Sequence, residues 1–126
     1  MTRATLPDAI RRFILTSIPS VPYLEAVLLL RAEPETAWGA SELARRLYVP
    51  ERTAVELLQL LAASGIAAPQ SEPQTVRYAP MPELRELLDE LAQAYSNDLV
   101  AVTDLIHSRI DRRAQRFADA FRFRKE

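Results

Sequence analysis

Arginines and one glutamine, rather than nucleophiles, thiols or paired histidines, are the residues whose placement suggests chemistry. Arg45 and Arg46 are adjacent, Arg52 and Gln59 follow in the next apolar-periodic segment, and Arg77 stands in a β-prone stretch. Side chains of these types read base edges by hydrogen bonds and hold phosphates by charge. Catalytic and metal-binding sets are scarce. The chain has no cysteine, which removes disulfides, zinc-thiolate sites, iron-sulfur clusters and thiol catalysis together. His107 is the single histidine. With Asp104 and Asp111 it shares one helical face, a spacing that could hold a metal weakly, yet with no further His or Cys it reads as a surface histidine beside a carboxylate. Ser41, Ser64 and Ser108 have no basic partner in a motif that would activate a hydroxyl. Gly39 and Gly65 are the only glycines, too few for a glycine-rich phosphate cradle. These residues predict neither an enzyme nor a bound metal or cofactor.

At 126 residues, 48% hydrophobic and 26% charged, the chain fits one globular domain, long enough to bury a core without disulfides or a metal. A formal charge of -1 gives no whole-chain attraction to nucleic acid or anionic lipid, so any such affinity must be local. The longest uninterrupted aliphatic stretch, Ala26 to Leu30, is far short of a membrane span, and the N-terminus lacks a basic-then-apolar signal pattern. The expected setting is cytoplasmic, with no membrane partner.

All nine prolines lie in the first 82 residues, so short elements are expected there and long helix afterwards. Asp8 to Ile18 places Ile10, Phe13, Ile14 and Ile18 at helical spacing, and Tyr23 to Ala32 predicts a second, buried helix. Ser41 is the expected N-cap of a short helix over Glu42 to Tyr48, and Pro50 separates it from the next. Glu51 to Ser64 sets Ala54, Leu57, Leu58 and Leu61 on one face, with Gly65 where a C-cap favours a left-handed residue. Ile66 to Ala68 and Gln74 to Ala79 predict a short hairpin with a polar tip. From Glu83 an apolar stripe recurs about every 3.7 residues, predicting one long helix or two collinear ones, with Ser96, Asn97 and Asp98 marking the break.

The segment Ser41 to Ala67, SELARRLYVPERTAVELLQLLAASGIA, resembles the helix-turn-helix of bacterial winged-helix transcriptional regulators, the MarR-like group in particular. The matching positions are Leu43-Ala44, Leu47, Val49, Thr53-Ala54, Leu57-Leu58, Leu61 and Gly65-Ile66. The resemblance covers roughly residues 22–80. It implies a mainly α (α+β) winged helix within a single domain: an N-terminal helix arm (1–21), the helix-turn-helix with a short hairpin wing (22–80), and a long C-terminal helix with a basic tail (81–126). It also implies that Trp38 lies on a short strand pairing with the wing, and that the protein regulates transcription by binding duplex DNA as a homodimer. Carried over, the groove-facing positions are Glu51, Arg52, Val55, Glu56, Gln59, Leu60 and Ala63. Arg45, Arg46, Arg52, Gln59 and Arg77 become the candidate DNA contacts, with Arg3, Arg11 and Arg12 as further cations near the N-terminus.

That face departs from the family pattern, because Glu51 and Glu56 repel phosphates where regulators usually offer cations and amides. Three uses stay open. Arg45 and Arg46 could be an ordinary solvated face. Val55, Leu60 and Ala63, if exposed together, would suit a protein partner instead of DNA. If they are buried against a flanking segment, neither use holds. The C-terminal region is charged unevenly: Met81 to Asp104 carries one base against six acids, and Leu105 to Glu126 seven bases against three acids. Antiparallel pairing of two copies would match these ends, with Leu91, Tyr95, Leu99, Val102, Ile106, Ile110, Phe117 and Phe121 as the candidate dimer interface. The helix dipole, which favours acids at a helix start and bases at its end, is the competing explanation. The arginines and phenylalanines interleaved from Arg109 to Lys125 could bind nucleic acid or an acidic partner, or dock by their aromatic side.

Overall fold

The computed structural model describes residues 6–70 and 75–108. The described chain is mainly helical, with one small two-stranded antiparallel sheet. Its elements are α1 (Asp8–Ser17), α2 (Val21–Ala32), α3 (Ala40–Leu47), α4 (Glu51–Ala63), β1 (Ala67–Pro69), β2 (Val76–Tyr78), α5 (Pro82–Asn97) and the helical residues Leu99–Ser108, here α6. The basic tail, with Ile110, Phe117 and Phe121, lies outside the described residues, as do Arg3 and the hairpin tip.

Two compact units divide the chain. One runs from Pro22 to Asp89; the other combines the residues up to Val21 with those from Glu90 onward. In the second unit, Ile10, Ile14 and Ile18 are fully buried, at the helical spacing that the sequence carries, and Leu91, Val102 and Ile106 are fully buried as well. Asp98 ends α5 and starts α6: its N–H still donates to the Ala94 carbonyl at 2.8 Å, while its Oδ1 accepts from the Ala101 N–H at 3.1 Å. That second bond satisfies one of the donors left open at a helix start, so the expected break falls at Asp98.

The Pro22–Asp89 unit is built on α2. Tyr23, Leu24, Ala26, Val27 and Leu30 are buried, which requires a helix apolar around most of its girth. Arg31 in its last turn pairs with Asp89 of α5 at 2.9 Å. Tyr23 Oη and Ser64 Oγ are 2.9 Å apart, linking the start of α2 to the end of α4. Burial raises the Tyr23 pKa above its ordinary value, and the Ser64 hydrogen bond opposes the rise.

Helix α3 begins two residues earlier than the sequence suggested, and Ser41 is not its cap. Gly39 holds the N-cap position in an extended conformation, with no side-chain cap bond. The reason is upstream: Trp38 pairs with Val76 through two backbone hydrogen bonds, of 2.7 and 3.0 Å, so the chain leaves that pairing directly into the helix. Trp38 is almost wholly buried and Arg46 lies over its ring, 5.3 Å from the centroid. The turn to α4 uses Tyr48 in the left-handed region (φ 57, ψ 45), and Pro50 takes the N-cap position of α4. At the other end of α4 the Gly65 N–H donates to Ala62 and the Ile66 N–H to Leu61, with Gly65 at φ 81. This is a Schellman ending, whose left-handed residue glycine fills at least cost.

Strands β1 and β2 pair antiparallel with Ala67 opposite Tyr78 and Pro69 opposite Val76. Val76 is thus flanked by Pro69 on one side and Trp38 on the other. Val76 and Tyr78 face the core and Arg77 faces solvent, the alternation expected of a strand covered on one side. Burial raises the Tyr78 pKa, with Asp89 adding to the rise and Arg31 and Arg85 opposing it.

Candidate functional site

Helix α4 has two unlike sides. Ala54, Leu57, Leu58 and Leu61 are buried, each fully covered leucine stabilising the fold by about 1.5–3 kcal/mol relative to exposure. The remaining arc carries Glu51, Arg52, Val55, Glu56, Gln59, Leu60 and Ala63, every one of them exposed. These are the seven positions that the resemblance turned toward a groove. Val55 and Leu60 keep 40% and 47% of their surface in solvent, so the packing of α4 leaves apolar area open on its outer side.

The candidate cations divide into two groups. Arg45 is paired with Glu42 one turn earlier on α3, and Arg46 pairs with Glu33, just beyond α2, at 2.7 Å. Arg46 is further fixed over Trp38. Both ion pairs are substantially exposed, so each contributes only about 0–1 kcal/mol, yet each neutralises a charge that a phosphate would need. Arg52 and Arg77 are exposed, and neither has an ion pair among the described residues. Gln59 is exposed on α4, two turns beyond Arg52.

Beside the outer face of α4 lies a half-open cavity of about 420 Å³. Val55, Leu58, Gln59 and Ala62 of α4 form one wall, Pro69, Gln70, Thr75 and Val76 of the hairpin region the other, and Ala40 of α3 closes an end. Among the described residues its lining is apolar except for Gln59, Gln70 and Thr75, with no charged side chain. Nothing in the sequence pointed to this cavity. It arises because Val55 and Ala62, on the rim of the outer arc, come up against residues that follow in the hairpin.

Of the candidate dimer positions, Leu91, Val102 and Ile106 are fully covered within the single chain. Tyr95 is half-buried, and Leu99 keeps 51% of its surface exposed. The period that drew the stripe therefore marks a helix face that one chain already covers, and among the described residues Tyr95 and Leu99 retain area for a second copy. His107 and Asp104 are exposed, and no cluster of three or more metal-ligating side chains occurs among the described residues. No single described helix is long and apolar enough to cross a membrane.

Comparison with known proteins returns no match to a family model, a curated protein or a solved structure.

Proposed function

We propose that residues 22–80 form a winged-helix head that binds another protein through the outer side of α4, and that this head has given up reading DNA. The observation that carries the reading is the composition of that exposed arc. Two acids, one base, one amide and three apolar residues face solvent, while Arg45 and Arg46 are engaged by glutamates. Phosphate binding depends on uncompensated cations, and protein recognition on desolvated apolar anchors within a polar rim. Val55 and Leu60, with the adjoining apolar cavity, supply the second and not the first. Cross-linked capture with purified protein tests this: Leu60→Glu keeps its far-ultraviolet circular dichroism and melting behaviour but loses the partner that wild type retains. Retention of the same partner by Leu60→Glu and by Val55→Glu refutes it.

A second reading keeps the head on duplex DNA as a homodimeric transcriptional regulator, favoured by Arg52 and Arg77, which are exposed and have no ion pair among the described residues. It predicts fluorescence-anisotropy binding to a mixed duplex whose affinity falls with salt at a log-log slope of about -0.9 per phosphate contacted. Arg52→Ala would flatten that slope. Replacing Glu33 and Glu42 by glutamine would steepen it by freeing Arg46 and Arg45. Absence of binding at low salt in both wild type and the double glutamine variant rejects this reading.

A further inference from the structure

The exposed arc of α4 has an internal order that its composition does not reveal. Glu51, Val55 and Gln59 are spaced four apart, and so are Arg52, Glu56 and Leu60; residues at that spacing are neighbours along a helix surface. The two large exposed apolar side chains each have a carboxylate one turn before them: Glu51 before Val55, and Glu56 before Leu60. Neither carboxylate makes an ion pair or a side-chain hydrogen bond among the described residues. Glu51 has a local reason to be acidic, since it sits in the first turn of α4. Glu56 is in the second turn and has none. Arg52, one turn before Glu56, forms no ion pair with it among the described residues, and the arc carries two carboxylates against that one guanidinium.

From this order we infer that the partner of the α4 face is a cationic amphipathic segment of another protein. It seats an apolar side chain in the cavity beside Val55 and sets lysines or arginines against Glu51 and Glu56. The inference rests on the protein-binding reading and adds the partner's chemistry to it. The uncharged cavity receives the apolar group, for which a charged one would be costly to desolvate. Against the single Arg52, the two carboxylates leave the arc net negative and disfavour acidic partners and duplex DNA, so the same pair supplies both selection and discrimination.

The probe is a fluorescein-labelled amphipathic peptide of leucine and lysine, about 15 residues long so that it can form a helix. Its counterpart has glutamate in place of every lysine. Wild-type protein should bind the lysine peptide saturably in anisotropy titrations and ignore the glutamate one. The double variant Glu51→Lys and Glu56→Lys should lose lysine-peptide affinity by at least about fivefold and gain affinity for the glutamate peptide. Glu83→Lys with Glu86→Lys, an identical charge change on exposed residues of α5, should leave the preference as in wild type. Val55→Glu should weaken the lysine peptide even though it adds a negative charge, which separates seating in the cavity from bulk attraction.

Equal effects of the α4 and α5 double variants, or tighter lysine-peptide binding by Val55→Glu, overturn the inference. So does binding of a labelled duplex in place of the peptide. Loss of self-association in Val55→Glu by light scattering would assign the face to a second copy and overturn it as well. Its failure is distinguishable from failure of the underlying reading. If Leu60→Glu abolishes capture of a protein partner while Glu51→Gln with Glu56→Gln does not, the face binds protein and only the cationic assignment falls.

Discussion

Replacing Tyr48 by glycine should make this protein more stable, although it deletes an aromatic side chain. Tyr48 occupies the left-handed region at φ 57, ψ 45, where its N–H closes α3 by donating to the Ala44 carbonyl. A non-glycine residue there costs about 1–2 kcal/mol. Glycine removes that cost but adds back about 0.5–1 kcal/mol through the greater freedom of the unfolded chain. The side chain itself contributes almost nothing to the balance, because it is 95% exposed. The net expectation is a gain of about 0.5–1 kcal/mol, or an increase in Tm of about 2–4 °C for a chain of this size. Urea denaturation followed by circular dichroism reads it as a higher midpoint at unchanged slope. Tyr48→Ala is the internal control: it keeps the left-handed penalty, so it should stay within about 0.5 kcal/mol of wild type. A glycine variant no more stable than wild type, or an alanine variant that gains as much as glycine, refutes the argument that the turn stores backbone strain.

Gly65→Ala should do the reverse, costing about 1–2 kcal/mol, since the φ of 81 penalises a side chain although nothing lies within 4 Å of the added carbon; an unchanged Tm would count against the Schellman ending. Leu61→Ala should cost about 2–5 kcal/mol, because Leu61 is fully buried, whereas Leu60→Glu one residue earlier should cost under about 0.5 kcal/mol. Equal costs in chemical denaturation would show that α4 is rotated from the orientation described here. Tyr23 and Tyr78 both have pKa values raised above 10.0 by burial. The folded state therefore holds their protons more tightly than the unfolded chain, and their contribution, fully present below pH 10, is lost as pH rises through the folded pKa values. Phenolate absorbance should show these two tyrosines ionising above pH 10.0, and ionisation of both at or below that pH would contradict their burial.

The element order was legible because it rests on local punctuation. Pro50 and Gly65 bound α4, the spacing of Ala54, Leu57, Leu58 and Leu61 names its inner face, and the cap-forming Asp98 divides the last two helices. The outer arc followed by subtraction. Long-range facts were not legible. The start of α3 is set by the pairing of Trp38 with Val76, residues far apart in sequence, and an N-cap rule applied to Ser41 has no access to that pairing. The pairing itself was expected only through the winged-helix resemblance. The Glu33–Arg46 ion pair joins residues 13 apart, so nothing in the Arg45-Arg46 doublet reveals which cations are already occupied. The apolar stripe of the C-terminal region was read less far for a different reason: period identifies a face that needs covering but not what covers it, and Leu91, Val102 and Ile106 are covered within the chain while Leu99 is not.

Charge pairing decides more here than charge number. The first 80 residues carry eight bases and eight acids, a balance that tells nothing about partners. The structure divides those charges by position. Arg31, Arg45 and Arg46 are each held by a carboxylate, on surfaces where such pairs barely affect stability. Glu51 and Glu56 have no ion pair among the described residues, on the helix whose outer side also exposes Val55 and Leu60. Because each pair adds so little to folding, folding alone does not account for Arg45 and Arg46 being paired beside α4 while Glu56, like Arg52, has no ion pair among the described residues. A surface meant for phosphates would have the opposite arrangement, with Arg45 and Arg46 free and the α4 acids compensated. The proposed basic, apolar partner fits the placement of Glu51 and Glu56 beside Val55 and Leu60. On the proposed reading, the two carboxylates would draw such a partner in, the cavity beside Val55 would desolvate its anchor, and the paired arginines would add no net repulsion.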